Sequence, residues 1–358
     1  MIGKSRKIRV LVVEDSPVVQ QLLAHVIGGD PRMEVAAVAS SGEQALRMVG
    51  SAKPDVVSLD IRLPGIDGFE VTKRLMREHP VPIVVVASDV HDLDIPMRAL
   101  QAGALAVVEK PGSMARADYQ TVASHLCTQL YIMSQVKVIR QRVRRVGEPD
   151  APAPAASCPA APAANARKFR ALGLVASTGG PAALVKILKD LPPSFPLPIF
   201  VVQHIGAPFV AGFASWLESV LPMPVKLAEH NAPLRPGTVH VAPGEAHLVA
   251  DPGATRLVQA EPVCGQRPSG DVLFTSMASA FGASGIGVLL TGMGEDGARG
   301  LLDMHRVGAY TITEHASTAV IHSMPGTAVR LGGATVELPL DKVAGRLLEL
   351  VSKGVEPS

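Results

Sequence analysis

Aromatic residues are scarce in this chain of 358 residues, making up 3% of it with a single tryptophan. Cysteine is scarcer still. Cys127, Cys158 and Cys264 are odd in number, widely spaced and without a C-x-x-C pair, which argues against a disulfide framework or a zinc knuckle and for three reduced thiols. Neither sign of charge is in excess, since 34 Lys and Arg face 32 Asp and Glu for a formal net charge of +2. So balanced a chain gives no reason to expect nucleic acid as a partner. Long hydrophobic runs are missing too. Pro82 to Ala87 and Ile286 to Leu290 fall far below the roughly 18 to 20 residues of a membrane span and read as buried strands. The opening MIGKSRKIRV enters a strand without the apolar stretch and cleavage site of a secretory signal. A cytoplasmic protein with no direct membrane insertion is the expectation.

What is present is an alternation of short β-branched runs and helical patterns. Ile8 to Val13, Glu34 to Ala39, Val56 to Leu59, Ile83 to Val86 and Ala106 to Val108 read as five strands of a parallel sheet. Strands apolar on both faces need helices on each side, which is the doubly wound α/β arrangement, and that places functional residues at the carboxyl ends of the strands. A helix from about Ala117 leads into Val136 to Val146, where Lys137, Arg140, Arg142, Arg144 and Arg145 carry charge with no acid between them. A solvated helix end favoured by the helix dipole accounts for this run better than an acidic partner does. From Gly147 to Ala166 the chain is mostly Ala and Pro, a composition of linkers rather than cores. Beyond it Leu172 to Val175, Ile199 to Gln203, Thr238 to Val241, Ile286 to Leu290 and Tyr310 to Thr313 predict a second α/β domain. The expected division is 1–130, a helix end and linker over 131–167, and 168–358. No helix-turn-helix pattern and no internal repeat is seen.

Glu14 and Asp15 close the first strand in VLVVEDS, and Asp60 closes the third in VSLDIRLPGIDG. Three carboxylates meeting at one sheet edge repel one another unless a cation lies between them, and hard oxygen ligands suit Mg²⁺. Lys110, in VVEKPG after the fifth strand, adds a point charge for a phosphoryl oxygen. An aspartate so placed can take a phosphoryl group as an acyl phosphate. VxxVEDS, LDIxLPGxDG and KP together resemble a response-regulator receiver over about residues 8 to 130, a (βα)5 flavodoxin-like fold. The resemblance implies that Asp60 is the phosphoacceptor, that Glu14, Asp15, Asp60 and the backbone carbonyl of Arg62 hold Mg²⁺, and that Lys110 contacts the phosphate. Where receivers usually carry Ser or Thr and an aromatic residue, this chain has Ala87 and Val107, with Ser88 one residue late. Phosphorylation at Asp60 is expected to reach the second domain by another route.

In the second domain LGLVASTGGP ends a strand in a turn that exposes Ser177, with Gly179 and Gly180 allowing close backbone approach and a helix from near Ala182 aiming its free N–H groups at the same space. Alone, such a turn serves equally to bind phosphate or cap a helix, and with Val175 in place of its first Gly it is not the G-x-S-x-G elbow. His204 ends the next strand in IFVVQHIG, where an imidazole can accept the serine proton. Asp296 follows a third strand in GVLLTGMGEDGARG and can reach the remaining ring nitrogen.

ASTGGP, VVQH, VHVAPGEAHL, RPSGDVLFTSMA, LLTGMGEDGARGL and SMPGTAV resemble the catalytic domain of chemotaxis protein-glutamate methylesterases of the CheB family, over residues 168 to about 353. Their fold is a doubly wound, Rossmann-like α/β domain. The resemblance implies a Ser177, His204, Asp296 triad acting through an acyl-enzyme on receptor glutamate methyl esters, with deamidation of receptor glutamine by the same route. Backbone N–H groups around Thr178 and Met293 stand in the matching oxyanion turns. It implies a methyl-accepting chemoreceptor as substrate, a sensor histidine kinase as phosphodonor, and no cofactor in the catalytic domain. Val175, Gly206 and Gly270 depart from the family's frequent Gly, Pro and Val, and the two glycines predict a looser site.

Two other classes compete with this reading. One is a phosphorylation-controlled receptor-binding module with an inactive hydrolase domain, against which intact Ser177, His204 and Asp296 stand. The other is a metallohydrolase using His240, Glu245 and His247, residue types common at zinc but here at a spacing of no defensible motif. Met223, Met277, Met293, Met304 and Met324 are irregularly spaced and read as core packing, with Met293 set apart by its turn. Trp216 reads as packing beside Phe213 and Leu217.

Overall fold

The computed structural model describes residues 6–87, 94–111, 116–136 and 169–353. The basic run from Lys137, the Ala and Pro segment with Cys158, and Ser88 lie outside the described residues.

The first domain runs β1 (Ile8–Val13), α1 (Pro17–Gly29), β2 (Met33–Ala39), α2 (Gly42–Ala52), β3 (Val56–Leu59), α3 (Gly68–Glu78), β4 (Ile83–Ala87), α4 (Asp94–Ala102), β5 (Ala106–Glu109) and α5 (Arg116–Ser134). The strands are parallel in the order β2-β1-β3-β4-β5. Period-two alternation splits the core between the two faces. Leu11, Leu59 and Val85 pack on one side, and Val10, Val12 and Val84 on the other. Ser41 and Asp67 start α2 and α3 by accepting the N–H groups of Gln44 and Glu70.

The second domain runs β6 (Ala171–Ala176), α6 (Gly180–Lys189), β7 (Ile199–Gln203), α7 (Ala207–Val220), β8 (Val225–Leu227), β9 (Val239–Val241), β10 (His247–Ala250), β11 (Thr255–Val258), α8 (Gly270–Phe281), β12 (Gly285–Leu289), α9 (Ala298–Arg306), β13 (Tyr310–Glu314), α10 (Ser323–Leu331), β14 (Val336–Leu338) and α11 (Leu340–Lys353). Seven parallel strands stand in the order β14-β13-β12-β6-β7-β9-β8, while β10 and β11 form a separate antiparallel hairpin. After β6 the chain builds outward through β7, then returns to lay β12 on the other side of β6. The carboxyl ends of these three strands therefore surround a topological switch point, where α/β sheets open a crevice.

The five expected strands of each domain are present, most with ends shifted by one residue. The helix expected near Ala182 begins at Gly180, because Gly179 turns the chain at a φ of 80° and Pro181 fits the first helical turn. Met223, Met277, Met304 and Met324 are buried and Met293 is exposed, as their positions suggested. Trp216 is half-buried against Phe213, with ring centroids 5.9 Å apart. No helix among the described residues is long and apolar enough to cross a membrane.

The two domains touch. α4 packs on α6 and α7, Leu100 lies against the core of the second domain, and Val320 and Ile321 lie against that of the first.

Candidate functional site

Strand ends gather the acidic cluster of the first domain. Glu14 and Asp60 are buried at the ends of β1 and β3, Asp15 is exposed beside them, and one carboxylate oxygen of each lies within 4.8 Å of the others. Lys110 follows β5 and reaches between them, its Nζ 2.7 Å from Asp60 Oδ2 and 2.8 Å from Glu14 Oε2. Burial pushes the Glu14 carboxyl up, although Lys110 opposes it. Burial also works against the Lys110 ammonium, but its hydrogen bonds to Asp60 and Glu14 hold it above the ordinary lysine value. Three hard oxygen donors around one buried cation fit a divalent metal and a phosphoryl group.

At the switch point of the second domain, Ser177 stands just past β6 and His204 just past β7, neighbours in register through Ala176 and Gln203. Asp296 comes from the turn between β12 and α9. His204 Nε2 lies 2.7 Å from Asp296 Oδ2, both side chains being buried, and Nδ1 has no partner among the described residues. A buried ring nitrogen left unpartnered is the one available to a serine proton. Gly292 closes the site from the β12 side. A Cβ there would lie 2.7 Å from Ser177 Cβ, so only glycine lets this turn come so near. Nothing among the described residues accepts the backbone N–H of Thr178 or Met293, which flank that approach.

The carboxylate of Asp296 is gripped by the first turn of α8. Ser269 Oγ donates to Oδ1 at 2.6 Å, Gly270 N–H to Oδ2 at 2.6 Å and Asp271 N–H to Oδ1 at 3.1 Å. Burial pushes this carboxyl up, but His204 and then Ser269 and Gly270 hold it below the ordinary aspartate value. Asp296 therefore stays anionic beside the imidazole.

Three side chains that support this geometry were not singled out from the sequence. Gln203 Nε2 donates to the carbonyls of both Ser177, at 2.8 Å, and His204, at 3.0 Å, tying the two strand ends together. Thr291 joins the turns on the other side, its carbonyl accepting Ser177 N–H and its Oγ1 donating to Thr178 O at 2.9 Å. Glu314, wholly buried at the end of β13, takes the Thr291 N–H at 2.8 Å, and burial pushes its carboxyl up. The available signal was position, since Gln203 precedes His204 in VVQH and Glu314 ends the strand YTITE at the same edge of the sheet.

The expected loosening at Gly270 and Gly206 is not found. A Cβ on Gly270 would overlap Val175 Cγ1, so the larger residue at 175 fills the space left by the smaller one at 270. Gly206 caps α7 with a φ of −55°, an angle that proline shares. Nor do His240, Glu245 and His247 form a metal cluster. His247 has both ring nitrogens engaged by Glu261 O and Ser269 N–H, and none of the three joins a group of ligand atoms among the described residues.

Ser177, Thr178, Gly179, His204 and Phe209 line one cleft of about 410 Å³. Its other wall is the first domain, through Pro96, Leu100, Leu105, Val107 and Gln129.

Comparison with known proteins identifies the family. Residues 172–347 match the family model for CheB methylesterase, and residues 10–118 match that for the response regulator receiver domain. The protein-glutamate methylesterase/protein-glutamine glutaminase 2 of Paramagnetospirillum magneticum is 48% identical over 98% of this chain and 99% of its own. The chain belongs to the CheB methylesterase family. A second member, protein-glutamate methylesterase/protein-glutamine glutaminase 1 of Syntrophus aciditrophicus, is 43% identical over 96% of this chain and 98% of its own. Among solved structures, the catalytic domain of Thermotoga maritima CheB methylesterase aligns over 51% of this chain and all of its own at 34% identity, with a TM-score of 0.50. Within the family this chain has the two-part form, receiver then methylesterase.

Proposed function

We propose that this protein is a phosphorylation-regulated esterase that hydrolyses glutamate methyl esters on chemoreceptors and deamidates receptor glutamines, working in the cytoplasm. The observation that carries this reading is the buried 2.7 Å contact of His204 Nε2 with Asp296, made by a histidine that lines the same cleft as Ser177. Residues 1–130 serve as receiver, 131–167 as helix end and linker, and 168–358 as catalytic domain.

In the first step Ser177 Oγ attacks the ester carbonyl while His204 Nδ1 takes its proton, and Asp296 steadies the imidazolium that forms. Charge on the carbonyl oxygen faces the N–H groups of Thr178 and Met293, a kind of donor whose loss typically costs about 10² to 10³ in rate. The C–O bond to methoxide breaks, and His204 returns the proton so that methanol leaves. Water then attacks the acyl-enzyme, gives its proton to His204, and releases free carboxylate and the serine hydroxyl. A glutamine side chain follows the same path with ammonia as the leaving group.

Asp60 is the phosphoacceptor in this reading, with a sensor histidine kinase as donor, and Lys110 contacts the phosphoryl oxygens. Glu14, Asp15, Asp60 and the backbone carbonyl of Arg62 would hold Mg²⁺, which when bound offsets the charge of the transferring group. Because Leu100 and Val107 wall the cleft that holds Ser177, the unphosphorylated receiver restricts access and phosphorylation relieves it. The inactive binding-module alternative is not favoured, since relatives matched over nearly the whole chain are named protein-glutamate methylesterase/protein-glutamine glutaminase and Ser177, His204 and Asp296 are all present in the sequence.

Methanol release from methylated receptor tests this. Ser177→Ala is expected to lower the rate by on the order of 10⁴ to 10⁶. Normal turnover by that variant would exclude Ser177 as nucleophile.

A further inference from the structure

The stretch around His240, Glu245 and His247 has no part in the reaction just described, yet His247 is wholly enclosed at the start of β10. Its Nε2 lies 3.0 Å from the carbonyl oxygen of Glu261. A carbonyl only accepts, so Nε2 carries the ring proton and Nδ1 presents a lone pair. That lone pair meets Ser269 N–H at 3.1 Å. Ser269 is the N-cap of α8, so its amide has no partner within the helix, and at 0% exposure it has no water either. Without the imidazole this donor would be buried and unsatisfied.

The same residue holds the reacting carboxylate, through Ser269 Oγ and the next two backbone amides on Asp296. We propose that His247 is a positioning residue of the esterase reaction, which registers the first turn of α8 against Asp296 and so aims that carboxylate at His204 Nε2. This rests on the reading of Ser177, His204 and Asp296 as the reacting set. The β10–β11 hairpin thereby gains a purpose beyond packing on α8. It carries an acceptor fixed in tautomer to the base of the site, and the neutral ring is what the Ser269 amide requires.

The full chain carrying His247→Asn, His247→Gln or His247→Leu distinguishes this from a structural role. Asn places a carbonyl near the position of Nδ1 and keeps an acceptor for Ser269, whereas Gln reaches only toward Glu261 and Leu serves neither. With methylated receptor, the Gln and Leu variants are expected to lose roughly 10- to 100-fold in kcat at unchanged KM, the scale of a misplaced catalytic group. Asn is expected to return to within a few-fold of the parent. The downfield imidazole proton of the His204–Asp296 pair should persist in Asn and shift or broaden in Gln. Equal kcat in all three variants overturns the proposal, as does a loss that follows only the folded fraction measured by circular dichroism. If Ser177→Ala or His204→Gln retains full activity, the underlying reading has failed instead.

Discussion

The side chain of Val175 occupies the space that a Cβ on Gly270 would need. These two positions touch although they lie 95 positions apart in the chain, and they sit where the strand leading to Ser177 passes the helix that grips Asp296. Gly270→Val alone should overpack the site, costing about 1–3 kcal/mol, and should displace the Gly270 N–H from Asp296. Val175→Gly in the same chain should recover part of both losses, with a coupling of about 0.5–3 kcal/mol in a double-mutant cycle. Urea midpoints and methanol release measure the two effects, and strictly additive changes would show that the pair is not complementary.

Gln203 spans the carbonyls of Ser177 and His204 with one amide. Gln203→Glu would bring an acceptor against two acceptors, so a stability loss of about 1–3 kcal/mol is expected from the unmade hydrogen bonds. Activity should fall further than stability accounts for, because the spacing of Ser177 and His204 relaxes. Thermal denaturation beside kcat at saturating substrate separates the two.

A dependence on mild acid follows from His240. Burial, with Lys226 nearby, pulls its imidazole from 6.5 down to about 4. Between those values the unfolded chain binds the proton and the folded one does not. Stability from this group is therefore complete above the upper value and lost as pH falls to the lower one, by on the order of 3 kcal/mol. His240→Phe should flatten that part of the curve relative to the parent, as read by urea unfolding at pH 7 and near pH 4.5. A parent and variant with parallel slopes would contradict this.

Asp60→Asn should abolish stimulation of methanol release by acetyl phosphate while leaving the unstimulated rate unchanged. Labelling on phosphate-affinity gels checks the modification itself. Stimulation that survives in Asp60→Asn would remove Asp60 from the regulatory role, and unchanged basal and stimulated rates in the parent would remove the regulation.

Long apolar strands made most of this architecture legible, because Ile8–Val13 or Ile199–Gln203 bury both faces and leave no other reading of their composition. Four strands, β8, β10, β11 and β14, were not legible. β8 and β14 have three residues each and β10 and β11 four, and in VKL, VEL, HLVA and TRLV a charged residue or histidine interrupts so short a run, so their pairing is decided by tertiary contact. Ser177, His204 and Asp296 were visible because each closes a strand in a glycine-bearing turn. Ser269 was not, and His247 was visible only as a candidate zinc ligand, because a serine 27 positions upstream of the aspartate it holds leaves no local mark. Gly270 misled for a related reason. A missing side chain reads as a void until the neighbour that fills it is known.

One cleft has Ser177 and His204 on one wall and Leu100 and Val107 on the other. On the proposed function an incoming receptor segment competes for volume with the protein's own first domain, and thermodynamic linkage makes such rivalry mutual. On the function proposed above, whatever draws the receiver aside tightens capture of the receptor, and a captured receptor in turn favours the phosphoryl form of the receiver.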